Sequence, residues 1–193
     1  MTLVEEMEAY AQKYDVPIMQ ADGISFMCEF VKSHKITSIL EIGAAIGYSA
    51  IRMAALDSKI HITTIEKDVK RYEKAKTYIE RSPYASQISL YLGDALEADL
   101  PGSYDMIFID AAKAQYIKFF ERYEPYLKLE GFIISDNLKF HGFVEHPENA
   151  TSRNLRQLVG KIKRYVDYLE QRHDFDTQFL EQGDGIGISQ KRV

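Results

Sequence analysis

The chain has 193 residues, with 24 Lys+Arg against 29 Asp+Glu and a formal charge of −5. Hydrophobic residues at 46% and charged residues at 27% are ordinary globular values and exclude disorder, collagen and coiled-coil fibre. One cysteine, Cys28, excludes an internal disulfide framework and a thiolate metal cluster.

The single cysteine points to a reducing, cytoplasmic setting. No apolar run reaches the ~18 residues a membrane span needs, and the opening MTLVEEMEAY is acidic, unlike a signal peptide. The negative balance argues against an all-over basic nucleic-acid surface and leaves room for a local patch. The length suits one domain over 1–193, read as a helical cover over 1–35 and an α/β core over 36–193.

In chain order, residues 2–14 place Leu3, Val4, Met7 and Tyr10 at helical spacing. Asp22 is positioned to cap a second helix with Ile24, Met27, Cys28 and Val31 on its apolar face. Short apolar runs then alternate with longer amphipathic ones. Strands are expected over 38–43 (SILEIG), 60–66 (IHITTIE), 88–92 (ISLYL), 104–110 (YDMIFID) and 131–136 (GFIISD), and helices over 48–56, 69–81 and 113–127. Runs such as IFI and FII are apolar on both faces and suit buried parallel strands. The alternation implies βαβ units and a doubly wound sheet. A loop, KFHGFVEHPENA, leads to a long helix over 152–173. Two further strands, 177–182 and 186–190, flank Gly183-Asp184-Gly185, a hairpin signal that adds antiparallel strands at one sheet edge.

In such sheets ligands sit beyond the carboxyl ends of the strands. Those ends supply Glu41 and Gly43, Glu66, Asp94, Asp110, and Asp136 with Asn137. Each acid alone can be a helix cap; five on one edge exceed what capping needs. The first turn, EIGAAIGYS, is E-x-G-x-x-x-G and lacks the dense glycines of a pyrophosphate loop. Glu41 would also repel a pyrophosphate, whereas a ligand with a cationic methionine part tolerates it. Glu66 is placed to accept ribose hydroxyls, a feature shared by NAD and adenosyl-methionine sites; its alternative is a solvated strand end. Asp110 and Asp136 with Asn137 offer three oxygen ligands, which favour a hard cation, Mg²⁺ before Ca²⁺ or Mn²⁺. Asp110 alternatively caps the helix near Ala112.

Together the strings EIGAAIGYSAIRMA, TIEKD, GDALE, YDMIFIDAAKAQY and ISDNLKFHGFV resemble the metal-dependent class I O-methyltransferases of the catechol and caffeoyl-CoA type, over nearly the whole chain. VPIM, AIGYSAIRMA and the terminal GDG segment are most similar to the branch acting on 5-hydroxyuridine in bacterial tRNA. The resemblance implies a Rossmann-like fold with a seven-stranded, mostly parallel sheet and a C-terminal antiparallel hairpin. It implies an S-adenosylmethionine pocket of Met19, Glu41, Gly43, Ser49, Glu66, Asp94, Ala95 and Asp110, metal ligands Asp110, Asp136 and Asn137, and a homodimer. Lys113 falls at the lysine of a D-x-x-K pattern that acts on the substrate hydroxyl; otherwise it is a solvated first-turn lysine. The chain departs from the pattern at Ala44, usually Thr or Cys, and at Lys139, usually apolar.

Methyl transfer from a sulfonium is an in-line displacement by an oxygen nucleophile. A divalent cation lowers the pKa of a bound hydroxyl and orients it. Catechols present two vicinal oxygens; 5-hydroxyuridine presents its hydroxyl beside a carbonyl. The same site can therefore serve tRNA or a small phenolic substrate. Basic residues run from Arg153 through Arg156, Lys161 and Lys163 to Arg164 without an intervening acid. They suit phosphates, and Phe140, His141 and Phe143 suit a stacked base; packing aromatics and a solvated helix face are the alternative. A non-catalytic adenosyl-methionine or nucleotide-binding module is a third reading, one that leaves the metal set without purpose.

Overall fold

The computed structural model describes residues 1–192. Helices α1 (Leu3–Tyr14) and α2 (Ala21–Ser33) precede an alternating core of β1 (Ser38–Ile42), α3 (Tyr48–Ala54), β2 (His61–Glu66), α4 (Val69–Arg81) and β3 (Ile88–Leu92). β4 (Tyr104–Ile109), α5 (Tyr116–Tyr123), β5 (Leu127–Ser135), α6 (Arg153–Glu170), β6 (Phe175–Leu180) and β7 (Ile186–Lys191) follow. Helix α1 starts with a capping box: Thr2 accepts from the Glu5 N–H while the Glu5 carboxylate accepts from the Thr2 N–H. Among the described residues no helix is long and apolar enough to cross a membrane.

The seven strands form one sheet in the order β3-β2-β1-β4-β5-β7-β6. All pairs from β3 to β5 are parallel. β7 pairs antiparallel with both β5 and β6, so it is the one reversed strand and it lies inside the sheet. The hairpin is present, and its five-residue connection over 181–185 is longer than a two-residue Asp-Gly turn.

Strand side chains alternate between two apolar layers. Ile39, Ile62, Met106, Phe108 and Ile134 pack beneath α1–α4. Leu40, Ile42, Ile107, Ile109 and Ile133 pack against the aromatic residues of α5 and α6. Glu41 falls in the first register, which turns it toward α3.

Two readings from the pattern need correction. Asp22 does not cap α2: Gln20 holds the cap position without a side-chain bond, and the Asp22 carboxylate accepts the Gly183 N–H at 2.9 Å. The 113–127 segment is not one helix. It is a 3-10 turn (Lys113–Gln115), then α5, then a 3-10 turn (Glu124–Tyr126) with Pro125 in its first turn, and β5 begins at Leu127. Proline cannot continue the α-helical hydrogen-bond ladder, which ends the helix early.

Candidate active site

The chain reverses its winding between β1 and β4, the neighbouring strands from which the connections run in opposite directions. A cleft of about 1040 Å³ opens there, along the carboxyl ends of the strands. This is where a doubly wound sheet places its ligands.

The strand ends are stitched together before any ligand arrives. The Asp110 N–H donates to the Ile42 carbonyl at 3.0 Å, and the Asp136 N–H to that of Ile109 at 3.2 Å. Gly43 and Ala44 both donate to the Ile65 carbonyl at 3.0 Å, and Gly93 donates to that of Glu66 at 2.9 Å. Gly43 has φ +104, a region that L side chains rarely adopt.

On the β1–β2–β3 side, Glu66 is buried and its two oxygens accept the N–H groups of Ala45 and Asp68, each at 2.8 Å. Each oxygen keeps a lone pair for a ligand hydroxyl. Asp94 accepts the Leu96 N–H at 2.9 Å and pairs with Lys67 at 2.6 Å. Lys67 first, and then that N–H, hold the Asp94 carboxyl below its usual range. Gly43, Glu66, Asp94, Ala95 and Met19 all line the cleft.

Glu41 and Ser49 lie outside that lining. Glu41 is fully buried behind the floor, where it accepts hydrogen bonds from the Ser49 and Thr64 hydroxyls. Burial raises its pKa to about 7 against the pull of those two donors. The strand alternation puts Glu41 and Thr64 on the α3 face, so this carboxylate braces the first turn from behind.

On the β4–β5 side, Asp110, Asp136, Asn137 and Lys113 line the same cleft. Burial raises the Asp110 carboxyl, and the Lys113 charge partly opposes the rise. Burial likewise raises Asp136, the charge of Asp110 adds to the rise, and the Asn137 N–H opposes it. Asp136 accepts that N–H on Oδ1 at 2.8 Å. Glu66 adds to the rise at Asp110 as Asp110 does at Asp136, and a cation would relieve such crowded carboxylates. Among the described residues no three His, Cys, Asp or Glu side chains group closely enough to hold a metal, so a metal here would need the Asn137 amide beside the two carboxylates. That all-oxygen set fits a hard divalent ion.

The wall beyond Asn137 is unusually bent. Asn137, Phe140 and His141 all adopt positive φ, between 48 and 59°, a costly region for non-glycine residues that must be held from outside. The β6–β7 connection holds it. Leu138 and Lys139 donate to the carbonyls of Gly185 and Asp184 at 2.9 and 2.8 Å, and the His141 N–H donates to the Asp184 carboxylate at 2.6 Å. Tyr116 adds a hydrogen bond to the Asp136 carbonyl at 3.0 Å. Phe140 and His141 reach the cleft, with the Lys113 ammonium 5.9 Å from the centre of the Phe140 ring.

Phe143, Arg153 and Arg156 do not line the cleft. Phe143 leans on Phe140 with ring centroids 6.2 Å apart. Arg156 spends its guanidinium on the carbonyls of Ala150 and Thr151, and Arg153 stands exposed at the start of α6. Lys139 is held between Glu145 and Glu181.

Two parts of the site escape a strand-end reading. Residues 15–20, between α1 and α2, form one wall of the cleft, with Asp15 and Ile18 alongside Met19; Pro17 between two helical patterns is the signal for that loop. Asp184 is the other, hidden in what reads as an ordinary turn.

The O-methyltransferase family profile matches residues 1–192. A solved structure from Staphylococcus aureus, provisionally named a caffeoyl-CoA O-methyltransferase, is 38% identical with a TM-score of 0.94, over 99% of this chain and 93% of that one. The O-methyltransferase from Bacillus cereus in complex with SAH is 25% identical with a TM-score of 0.84, over 98% and 90%. Caffeoyl-CoA O-methyltransferase 2 of Petunia hybrida is 29% identical over 203 residues, covering 97% of this chain and 83% of its own length. A full-length profile match and a close structural relative, on a cleft built at the switch point, lead to one assignment: the chain belongs to the S-adenosylmethionine-dependent O-methyltransferases of the caffeoyl-CoA type.

Proposed function

We propose that the chain works as one catalytic domain, in a cytoplasmic homodimer, and that it methylates the 5-hydroxyl of 5-hydroxyuridine at the wobble position of tRNA with the help of a divalent cation. The observation that carries this reading is the pairing of half-buried Asp110 with buried Asp136, beside Asn137, in the cleft that also holds Glu66 and Lys113. S-adenosylmethionine supplies the methyl group, and a cation held by Asp110, Asp136 and Asn137 would acidify and orient the acceptor hydroxyl.

The chain's own residues do the rest. Glu66, fixed by two backbone N–H groups, accepts ribose hydroxyls. Asp110 stands at the boundary of the donor and acceptor halves. Lys113 either accepts the acceptor proton at Nζ as a neutral amine or, as the ammonium, offsets the charge of the oxygenate, and Phe140 offers a face for a flat acceptor. The bent wall over 137–141 limits which oxygen reaches the methyl group, so positioning contributes much of the rate.

A small catechol-like phenol is the second reading. It is favoured by the names of the plant relatives, which are caffeoyl-CoA enzymes. The test is incubation with methyl-labelled S-adenosylmethionine, Mg²⁺ and tRNA from a strain lacking the modification, beside a catechol. Label on the wobble uridine supports the first reading. Label on the catechol alone replaces it with the second, and label on neither overturns both.

A further inference from the structure

A second hollow, of about 370 Å³, opens on the far side of the Lys113–Gln115 turn. Lys113 and Gln115 line both hollows, so that turn is the ridge between them. The rest of the rim comes from Lys118 on α5 and from Lys161 and Arg164 on α6. The α6 pair is three residues apart and shares one helix face. Tyr116 and Tyr165 lie in the lining, edge to face with centroids 5.2 Å apart.

The charge here is one-sided. Glu121 is the sole carboxylate in the lining. Arg52, Lys67, Arg81, Lys128, Lys139, Arg172 and Arg192 each lie within 4.0 Å of an acid. Among the described residues Lys113, Lys118, Lys161 and Arg164 form no such ion pair. Clustered like charges repel, and in a chain of net −5 this cluster invites an anion. The hollow is at the small end of ligand pockets, a size for a phosphate and its sugar rather than a whole cofactor.

We propose that this hollow is a phosphate subsite that grips the backbone of an RNA acceptor while the reactive base lies across the ridge in the cleft. The proposal rests on the RNA reading given above and names its anchoring point. A phosphate ester has two plausible sources, an RNA chain or a small nucleotide-bearing acceptor. The chain of phosphates is favoured because the positive face continues along α6: Arg153 is also exposed, on the same side of the helix as Arg164 and roughly 16 Å from it at the helical rise. A lone phosphate would not use that length.

The test is fluorescence anisotropy with a labelled anticodon stem-loop RNA and the full chain, measured across a salt series. Lys161→Glu with Arg164→Glu is compared with wild type and with a control pair, Lys32→Glu with Lys59→Glu, at the opposite end of the sheet. The site pair should weaken RNA binding by about tenfold or more and flatten the slope of log Kd against log salt by about 1.4, the value for two lost contacts to a single strand. Unchanged affinity for S-adenosylhomocysteine by calorimetry confirms that the variant is folded. A change below about twofold overturns the subsite, as does an equal loss in the control pair, which would reduce the effect to bulk charge. Coenzyme A is the arm for the other source: if the site pair loses coenzyme A but keeps RNA, the RNA assignment is overturned. These are binding readouts, so a failed subsite is distinct from failed chemistry, which shows as no methylation of any acceptor by wild type.

Discussion

Gly43 and Asp110 meet at closer range than any side chain permits: a Cβ on Gly43 would stand 2.1 Å from the Asp110 carbonyl oxygen. The contact joins the first turn to the strand end that carries the central acid of the cleft. Backbone, not a flexible side chain, is what the methyl would strike, and φ of +104 adds strain. Gly43→Ala should cost about 2–4 kcal/mol of stability in urea unfolding. It should also abolish calorimetric binding of S-adenosylhomocysteine in whatever folded fraction survives.

Asp136→Ala separates the two halves of the cleft. Turnover with Mg²⁺ should fall about a hundredfold or more, the scale for losing one preorganised charge, while S-adenosylhomocysteine affinity stays within a few-fold. Wild-type enzyme treated with a chelator should fall alike and recover on adding the ion. Full activity of the variant with chelator present would remove the metal from the account.

Lys113→Met should lower kcat by about a hundredfold, within the range of general acid–base groups, with donor affinity retained. Lys113→Arg keeps the charge but not a removable proton. Recovery by arginine therefore assigns Lys113 an electrostatic role, and no recovery assigns proton transfer. Single-turnover rates across pH make the distinction.

Glu41 predicts a pH dependence of stability. Its folded pKa, about 7, lies above the ordinary 4.5, so the folded state holds this proton more tightly than the unfolded one. The associated stability is complete below pH 4.5, declines as pH rises, and is gone above about 7. The swing is at most about 3 kcal/mol. Glu41→Gln, which mimics the protonated form, should flatten the curve and be the more stable protein at pH 8 by denaturant unfolding.

Asp184→Ala should raise the acceptor KM about tenfold to a hundredfold, the loss of one hydrogen bond to a charged group at the 137–141 wall. The Kd for S-adenosylhomocysteine should not move. Equal changes in both constants would show that the hairpin loop supports the whole cleft rather than one wall.

The carboxyl ends of the parallel strands were legible because a buried parallel strand writes its boundaries in apolar runs and terminal acids: β1, β2, β4 and β5 end within one residue of the pattern, whereas β6, a half-exposed edge strand, begins and ends two residues earlier than its pattern. Which face Glu41 takes was less legible, although the period of two contains it: 39, 41 and 43 share a side opposite to 40 and 42. Asp22 was misread as a cap because its partner, Gly183, is 161 residues away, and local pattern carries no such distance. Asp184 was hidden for the same reason. A turn aspartate between two glycines looks local, yet its contacts are with His141 and, through its carbonyl, Lys139.

The place of β7 has a consequence for the order of assembly. β6 leaves the ribosome first, but its ladder partner in the sheet is β7, so it has nothing to dock on until β7 has been made. The Glu66 side of the cleft comes from strands completed earlier in synthesis, β1 to β4. The wall over 137–141 takes shape with the last strand, because the loop that tethers it lies between β6 and β7. A nascent chain thus completes the Glu66 side of the cleft before the wall opposite it has its anchor.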